Sequence, residues 1–103
     1  ALLPMARERG MAIVGMKSVR HARDSDLAGP ELVRYAMSLE GVHSVIVGLD
    51  TAAHLDANAQ MATDFAPMPP AARAAMSAEV QQALAGHPAP WDRPGYVDGV
   101  AHA

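Results

Sequence analysis

The sequence predicts an α/β protein in which short parallel strands are covered by helices. Two continuous apolar runs of strand length, "MAIVGM" and "VHSVIVG", lack the polar alternation of a sheet with one face in water. Segments with helical periodicity precede and follow these runs, and a glycine separates helix from strand in both "RERG-MAIVG" and "SLEG-VHSVIVG". Strands that alternate with helices in this way are typical of parallel sheets.

The segments around the strands carry ordinary signals for starting and ending helices. "LLPMARERG" has a proline in its first turn and ends in a glycine, a typical left-handed stop. "PELVRYAMSLE" has an apolar stripe and Gly41 after its end, and Arg34 is placed to pair with Glu31. "TAAHLDANAQMA" predicts a third helix with Asp50 or Thr51 as N-cap. "PPAARAAMSAEVQQALAG" predicts a fourth.

Length and composition limit the class of protein. With 103 residues the chain is long enough for one small domain, in which residues 1–86 hold the predicted elements and residues 87–103 form a Pro- and Gly-rich tail. A net charge of -3 and the lack of a basic run argue against nucleic-acid binding. No apolar run approaches the roughly 20 residues of a membrane span, and we expect a cytoplasmic protein.

Metal and thiol chemistry are not expected. The chain has no cysteine, which excludes disulfides, thiolate catalysis and cysteine-based zinc sites. Its histidines show no HExxH or HxxxH spacing, so no metal site is predicted.

Two parallel strands make a poor sheet by themselves. Each keeps an edge of unpaired N–H and C=O groups, and each such group costs on the order of 1–3 kcal/mol when it is buried. The chain also opens without a methionine, at or near the start of a helix. We therefore expect a fragment or a processed chain, with the missing strands upstream or supplied by another chain.

Three segments carry a family resemblance: "LLPMARERGMAIVGMKSV", "ELVRYAMSLEGVHSVIVGLDTAAHLDANAQMA" and "FAPMPPAARAAM". In this order they resemble the C-terminal third of a bacterial-type aldo-keto reductase, from Leu2 to about Leu84. The resemblance implies a (β/α)8 TIM barrel that reduces aldehydes or ketones with NADPH, NADH being possible. The two strands would be the seventh and eighth of the barrel, and active sites of such barrels lie at the carboxyl ends of the strands.

The resemblance also implies a missing part. The family's catalytic tetrad of Asp, Tyr, Lys and His lies in the first half of the barrel, and no segment here matches those motifs. Lys17 lies on a later strand than the tetrad lysine. We therefore expect no catalytic residue in this chain and no activity from it alone, with a missing N-terminal barrel half or another chain completing the site for a small carbonyl substrate. In the tail, Trp91 and Tyr96 either line the substrate pocket or anchor the tail.

The resemblance assigns cofactor binding to nine residues. Those after the first strand face the nicotinamide and pyrophosphate, those after the second strand face the 2′-phosphate region, and those on the third helix face the adenosine. They are Met16, Lys17, Ser18, Gly48, Leu49, Asp50, Thr51, His54 and Asn58. Two general features fit this assignment, since a helix N-terminus offers free N–H groups to phosphate and glycine lets a ligand approach the backbone.

Each group also has an interpretation without a ligand. The residues after the first strand fit a core methionine beside a solvated lysine. Those after the second strand fit a capped turn, and those on the third helix fit an exposed helix face. Many members of the family carry a basic residue and a serine where this chain has Gly48 and Leu49. Asp50 adds a negative charge, and His54 stands where members carry an arginine. We therefore expect a weaker preference for NADPH over NADH. The alternative function is a non-catalytic α/β module that binds a nucleotide or a protein partner through its open sheet edge.

Overall fold

The fold was obtained as a computed structural model, which describes residues 2–19, 28–86 and 94–97. Within these ranges it contains four helices and two strands. In chain order they are α1 (Leu2–Glu8), β1 (Val14–Met16), α2 (Gly29–Met37), β2 (Ser44–Ile46), α3 (Ala52–Thr63) and α4 (Pro70–Leu84). The predicted α/β class and the predicted order of elements are confirmed for the described part of the chain.

The two strands pair in parallel, as the sequence predicts. Val14 lies opposite Ser44, and Met16 lies opposite Ile46. Each strand is only three residues long, which is shorter than the apolar run that predicted it. β1 ends where it does because Lys17 adopts a left-handed conformation, with φ at 57°, and this turns the chain out of the sheet.

The predicted end of α2 was wrong by several residues. Gly41 is left-handed, with φ at 89°, but the helix ends earlier, at Met37. The Ser38 hydroxyl donates to the Arg34 carbonyl at 2.7 Å and competes with continued helix. The next N–H, of Leu39, bonds three residues back to Ala36 at 3.3 Å, so the chain leaves the helix through a tightened turn.

The buried core is small and lies away from the sheet. Among the described residues, the buried hydrophobic side chains are Leu32 and Val33 on α2 and Met68 in the loop between α3 and α4. One face of the sheet is open: Val14 is 52%, Met16 is 66% and Ile46 is 59% exposed. Val14 and Met16 share one face because alternate residues of a strand point the same way, and Ile46 joins them because it pairs with Met16. We call these three residues the open face.

A group of hydrogen bonds ties the loop between α3 and α4 to the end of α2. Arg34 Nε donates to the Ala66 carbonyl at 2.9 Å, and Arg73 Nη1 donates to the Ser38 carbonyl at 2.9 Å. The Met68 N–H donates to Ser38 Oγ at 2.8 Å. We call these five residues the Ser38 cluster. They fix the loop that carries one of the three buried side chains.

The predicted ion pair on α2 is confirmed. Arg34 Nη1 lies 3.5 Å from Glu31 Oε2. In the described ranges, no helix has both the length and the apolar character that a membrane crossing requires. Residues 20–27, in the loop predicted after β1, lie outside the described residues. So do Trp91 and most of the predicted tail, of which only residues 94–97 are described.

Candidate functional site

The carboxyl ends of both strands lie at the same edge of the sheet. This follows from their parallel pairing, in which Met16 ends β1 opposite Ile46 at the end of β2. Lys17 and Ser18 therefore leave the sheet beside the segment that leads from Val47 to Gly48. The first two groups of candidate residues are thus brought to one edge, as their positions after successive parallel strands predict.

The side chains of Met16 and Lys17 are both exposed in the described chain. Met16 is 66% exposed, so it is not a core methionine within the described chain. Lys17 is also exposed, and within the described ranges it is the one residue other than glycine that has a positive φ. A left-handed conformation costs a residue with a Cβ roughly 1–2 kcal/mol, and such conformations cluster at functional sites.

Ser18 and Asn58 each carry an unsatisfied polar atom. Among buried side-chain nitrogen and oxygen atoms of the described residues, Ser18 Oγ and Asn58 Oδ1 are those without a hydrogen-bond partner. Leaving such an atom unpaired costs about 1–3 kcal/mol, so folded proteins rarely keep one without a reason. Both residues belong to the nine to which the family resemblance assigns cofactor contacts.

The turn after β2 caps the N-terminus of α3. Thr51 is extended, with φ at -142°, and its Oγ1 accepts the His54 N–H at 3.1 Å. Thr51, not Asp50, is therefore the N-cap, which resolves the alternative that the sequence leaves open. A Cβ built on Gly48 meets no atom within 4 Å. The packing of this chain therefore does not require a glycine there, and the space beside Gly48 remains open to a ligand.

The face of α3 that carries His54 and Asn58 is only partly solvated. His54 is exposed, whereas Asn58 is half-buried and its Nδ2 donates to the His54 carbonyl at 2.8 Å. That bond fixes the orientation of the side-chain amide and leaves Oδ1 as the unused acceptor. The interpretation of this face as an ordinary exposed surface holds for His54 and does not hold for Asn58.

The charges at this edge are mixed. Lys17 supplies positive charge, and the exposed Asp50 carboxylate supplies negative charge just before the N-terminus of α3. Leu49, which is 43% exposed, occupies the turn between them. Across the described part of the chain there is no group of three or more metal-binding side chains. The arrangement suits a polar organic ligand with a limited anionic part better than a bare anion.

Sequence reasoning missed two sets of contacts. The Ser38 cluster joins residues about 30 positions apart, for which helical periodicity gives no signal. His43 was considered only as a potential metal ligand, yet its Nδ1 accepts the N–H of Ile13 at 3.1 Å. The one available hint was its position, one residue before the second predicted strand.

Comparisons with known proteins identify no relative. No protein-family model, no curated protein and no solved structure matches the chain. The family to which the chain belongs is therefore not established by comparison, and its function is inferred from its residues and their geometry.

Proposed function

We propose that this chain is the C-terminal part of an NAD(P)H-dependent aldo-keto reductase and that it supplies cofactor contacts to a (β/α)8 barrel. The observation that carries the proposal is the pair of unsatisfied buried atoms, Ser18 Oγ and Asn58 Oδ1. Both belong to residues to which the family resemblance assigns cofactor contacts. A bound dinucleotide gives each of them the partner that the described chain does not provide.

The open face also supports this proposal. The interior of a TIM barrel is filled by layers of bulky apolar side chains that project inward from the strands. Val14, Met16 and Ile46 are apolar side chains on one face of a parallel sheet, and each is more than half exposed. In a complete barrel this face turns inward and is covered by the other strands.

The residues fit the adenosine side of the cofactor better than its 2′-phosphate. Asn58 Oδ1 is an acceptor that suits the exocyclic amine of adenine, and the Ser18 hydroxyl suits the pyrophosphate. The N-terminus of α3 adds a partial positive charge. Gly48 and Leu49 offer no charged or hydroxyl side chain to the 2′-phosphate, so a weaker preference for NADPH over NADH is expected.

The chemistry divides between this chain and the absent part of the barrel. When bound, the reduced nicotinamide supplies a hydride to the carbonyl carbon of an aldehyde or ketone. The proton for the carbonyl oxygen comes from a tyrosine in the absent part. Residues of this chain would hold and orient the cofactor, and the family resemblance assigns Met16, at the end of β1, to contact with the nicotinamide. Alone, the 103-residue chain is expected to be inactive.

The first test is the coding sequence upstream of Ala1. A continuous frame that carries Asp, Tyr, Lys and His in barrel order supports the proposal, and a start codon directly before Ala1 contradicts it. The second test uses the protein expressed from that frame. Asn58→Ala should weaken NADPH binding about 5- to 10-fold, as expected for the loss of one hydrogen bond in a buried site.

A matched control is available on the same helix. Gln60 lies on α3, is exposed, and donates to Asp64 rather than facing the candidate site. Gln60→Ala should leave NADPH affinity unchanged, measured by quenching of nicotinamide fluorescence. Equal losses in Asn58→Ala and Gln60→Ala would remove Asn58 from the cofactor site. In the same protein, His54→Arg should strengthen NADPH binding more than NADH binding, because arginine adds a permanent charge for the 2′-phosphate.

The second candidate function is a non-catalytic α/β module that binds a nucleotide or a protein partner through its open sheet edge. The same open face favours it, because an exposed apolar surface of this kind is typical of an interaction site. The upstream sequence separates the two candidates, since this module requires no tetrad.

A further inference from the structure

α3 carries two of the candidate cofactor residues, yet little of its surface is covered. The whole of Ala52–Thr63 is described, and none of its residues is buried. Asn58 and Met61 are half-buried and lie three residues apart on one face, whereas the rest of the helix is exposed. α3 also lies against α2. Because side-chain packing covers so little of this helix, its attachment at the two ends decides where it lies.

The two ends of α3 are attached in different ways. At the N-terminus the chain arrives from β2, and Thr51 caps the helix. At the C-terminus the Asp64 N–H donates to the Gln60 carbonyl at 3.0 Å and closes the last turn. Two residues later the chain enters the Ser38 cluster, where the Ala66 carbonyl accepts a bond from α2 at 2.9 Å. The C-terminal end of α3 is therefore fixed through this cluster.

Ser38 binds the segment after α3 twice. Its Oγ accepts the Met68 N–H at 2.8 Å, and its carbonyl accepts Arg73 Nη1, from the first turn of α4, at 2.9 Å. Pro67 and Pro69 flank Met68, and each proline ring restricts its own φ. A displacement of Met68 is therefore passed along the loop toward α3 rather than absorbed within it.

We propose that Ser38 is a positioning residue for cofactor binding, because it holds the loop after α3 and thereby sets the place of Asn58. This role rests on the proposed function, in which Asn58 Oδ1 accepts a hydrogen bond from adenine. At 1.5 Å per residue, Asn58 lies about 9 Å and the helix end about 17 Å from the start of α3, so a shift of about 1 Å at that end moves Asn58 by roughly 0.5 Å. Hydrogen bonds span only roughly 2.7–3.2 Å, so this shift is enough to weaken the contact.

The experiment uses the protein expressed from the complete upstream frame, and it measures affinity by nicotinamide fluorescence. Ser38→Ala should weaken NADPH binding about 3-fold, less than Asn58→Ala, because the contact is displaced rather than removed. Reduced nicotinamide mononucleotide lacks the adenosine half, and its affinity should not change. Ser77→Ala is the matched control: Ser77 accepts from Gln81 within α4 at 3.4 Å, and its loss should leave both affinities unchanged.

A double-mutant cycle separates positioning from a general loss of stability. If Ser38 acts through Asn58, Ser38→Ala should cost no further NADPH affinity in the Asn58→Ala protein. A further loss of about 3-fold in that background overturns the positioning role. So does an unchanged affinity in Ser38→Ala when Asn58→Ala alone is weakened. If Asn58→Ala binds NADPH as tightly as the native protein, the proposed cofactor contact fails, and the positioning role fails with it.

A second variant gives the answer if Ser38→Ala does not fold. Arg73→Met keeps an aliphatic side chain and removes the bond between α4 and the Ser38 carbonyl. It should weaken NADPH binding about 2-fold and leave the affinity for reduced nicotinamide mononucleotide unchanged. Equal losses for the two ligands, or no loss for either, would overturn the positioning role.

Discussion

Replacing Ser38 by alanine should destabilise the fold more than any other loss of a single hydroxyl in the described part of the chain. Ser38 Oγ accepts the N–H of Met68 at 2.8 Å and donates to the Arg34 carbonyl at 2.7 Å. Alanine removes both bonds and leaves the Met68 N–H without a partner in a partly buried position. The side chain of Met68 is itself 6% exposed and belongs to the small core.

The magnitude follows from the two bonds. Leaving a partly buried N–H unpaired costs about 1–3 kcal/mol. The second bond contributes less, because the Arg34 carbonyl still accepts the Ser38 N–H at 3.0 Å. We therefore expect a loss of about 2 kcal/mol in the free energy of unfolding. A domain of this size has only about 5–15 kcal/mol in total, so the change should be easy to measure.

The assay is urea denaturation, at a fixed protein concentration, of the protein expressed from the complete upstream frame. With a slope of about 1–3 kcal/mol per molar urea, Ser38→Ala should lower the unfolding midpoint by roughly 0.7–2 M. The control is Ser77→Ala, since Ser77 accepts only from Gln81, at 3.4 Å on an exposed surface. That variant should shift the free energy by less than about 0.5 kcal/mol. Equal midpoints for the two variants would refute the role given to the Ser38 cluster.

Further predictions concern single positions and the state of the isolated chain. Gly41→Ala should cost about 1–2 kcal/mol in urea unfolding, because its φ is 89° and a Cβ would overlap Arg7, whereas Gly48→Ala should be neutral. Lys17→Gly should stabilise the chain by about 0.5–1 kcal/mol by relieving the left-handed strain, and destabilisation would contradict this. Thr51→Ala should reduce the thermal stability of α3 by about 1 kcal/mol, followed by circular dichroism, while Thr51→Ser should retain it. The isolated chain should be oligomeric, aggregation-prone or partly ordered. A monodisperse monomer in sedimentation with a sharp melt would count against this.

The sequence predicted which elements exist better than where they end. Apolar runs located both strands, and helical periodicity with proline, cap and glycine signals located all four helices of the described part, because these signals are local in the chain. The end of β1 at Met16 was predicted, whereas its start and the end of α2 were missed. Pairing begins only at Val14, and the Ser38 side chain ends α2 through a bond to its own helix, which residue type does not indicate.

The candidate site was predicted in position but not in detail. The meeting of the segments after β1 and β2 at one edge follows from parallel pairing alone. The exposure of Met16, the buried atoms of Ser18 and Asn58, and the choice of Thr51 as cap depend on tertiary packing and on side-chain rotamers. No periodic pattern encodes these, so the sequence left the interpretations with and without a ligand open.

Because the core lies away from the sheet, the stability of α2 and the stability of the sheet rest on different contacts. The buried side chains and the Ser38 cluster stabilise α2 and the loop between α3 and α4, whereas the sheet, whose carboxyl end carries part of the site, has an open face of Val14, Met16 and Ile46. Covering side chains of this size contributes roughly 1–2 kcal/mol each when half of their surface is still exposed. Whatever covers the open face, whether the rest of a barrel or another partner, should therefore stabilise the sheet and the site. The Ser38 cluster should be unaffected, because its bonds are already made within this chain.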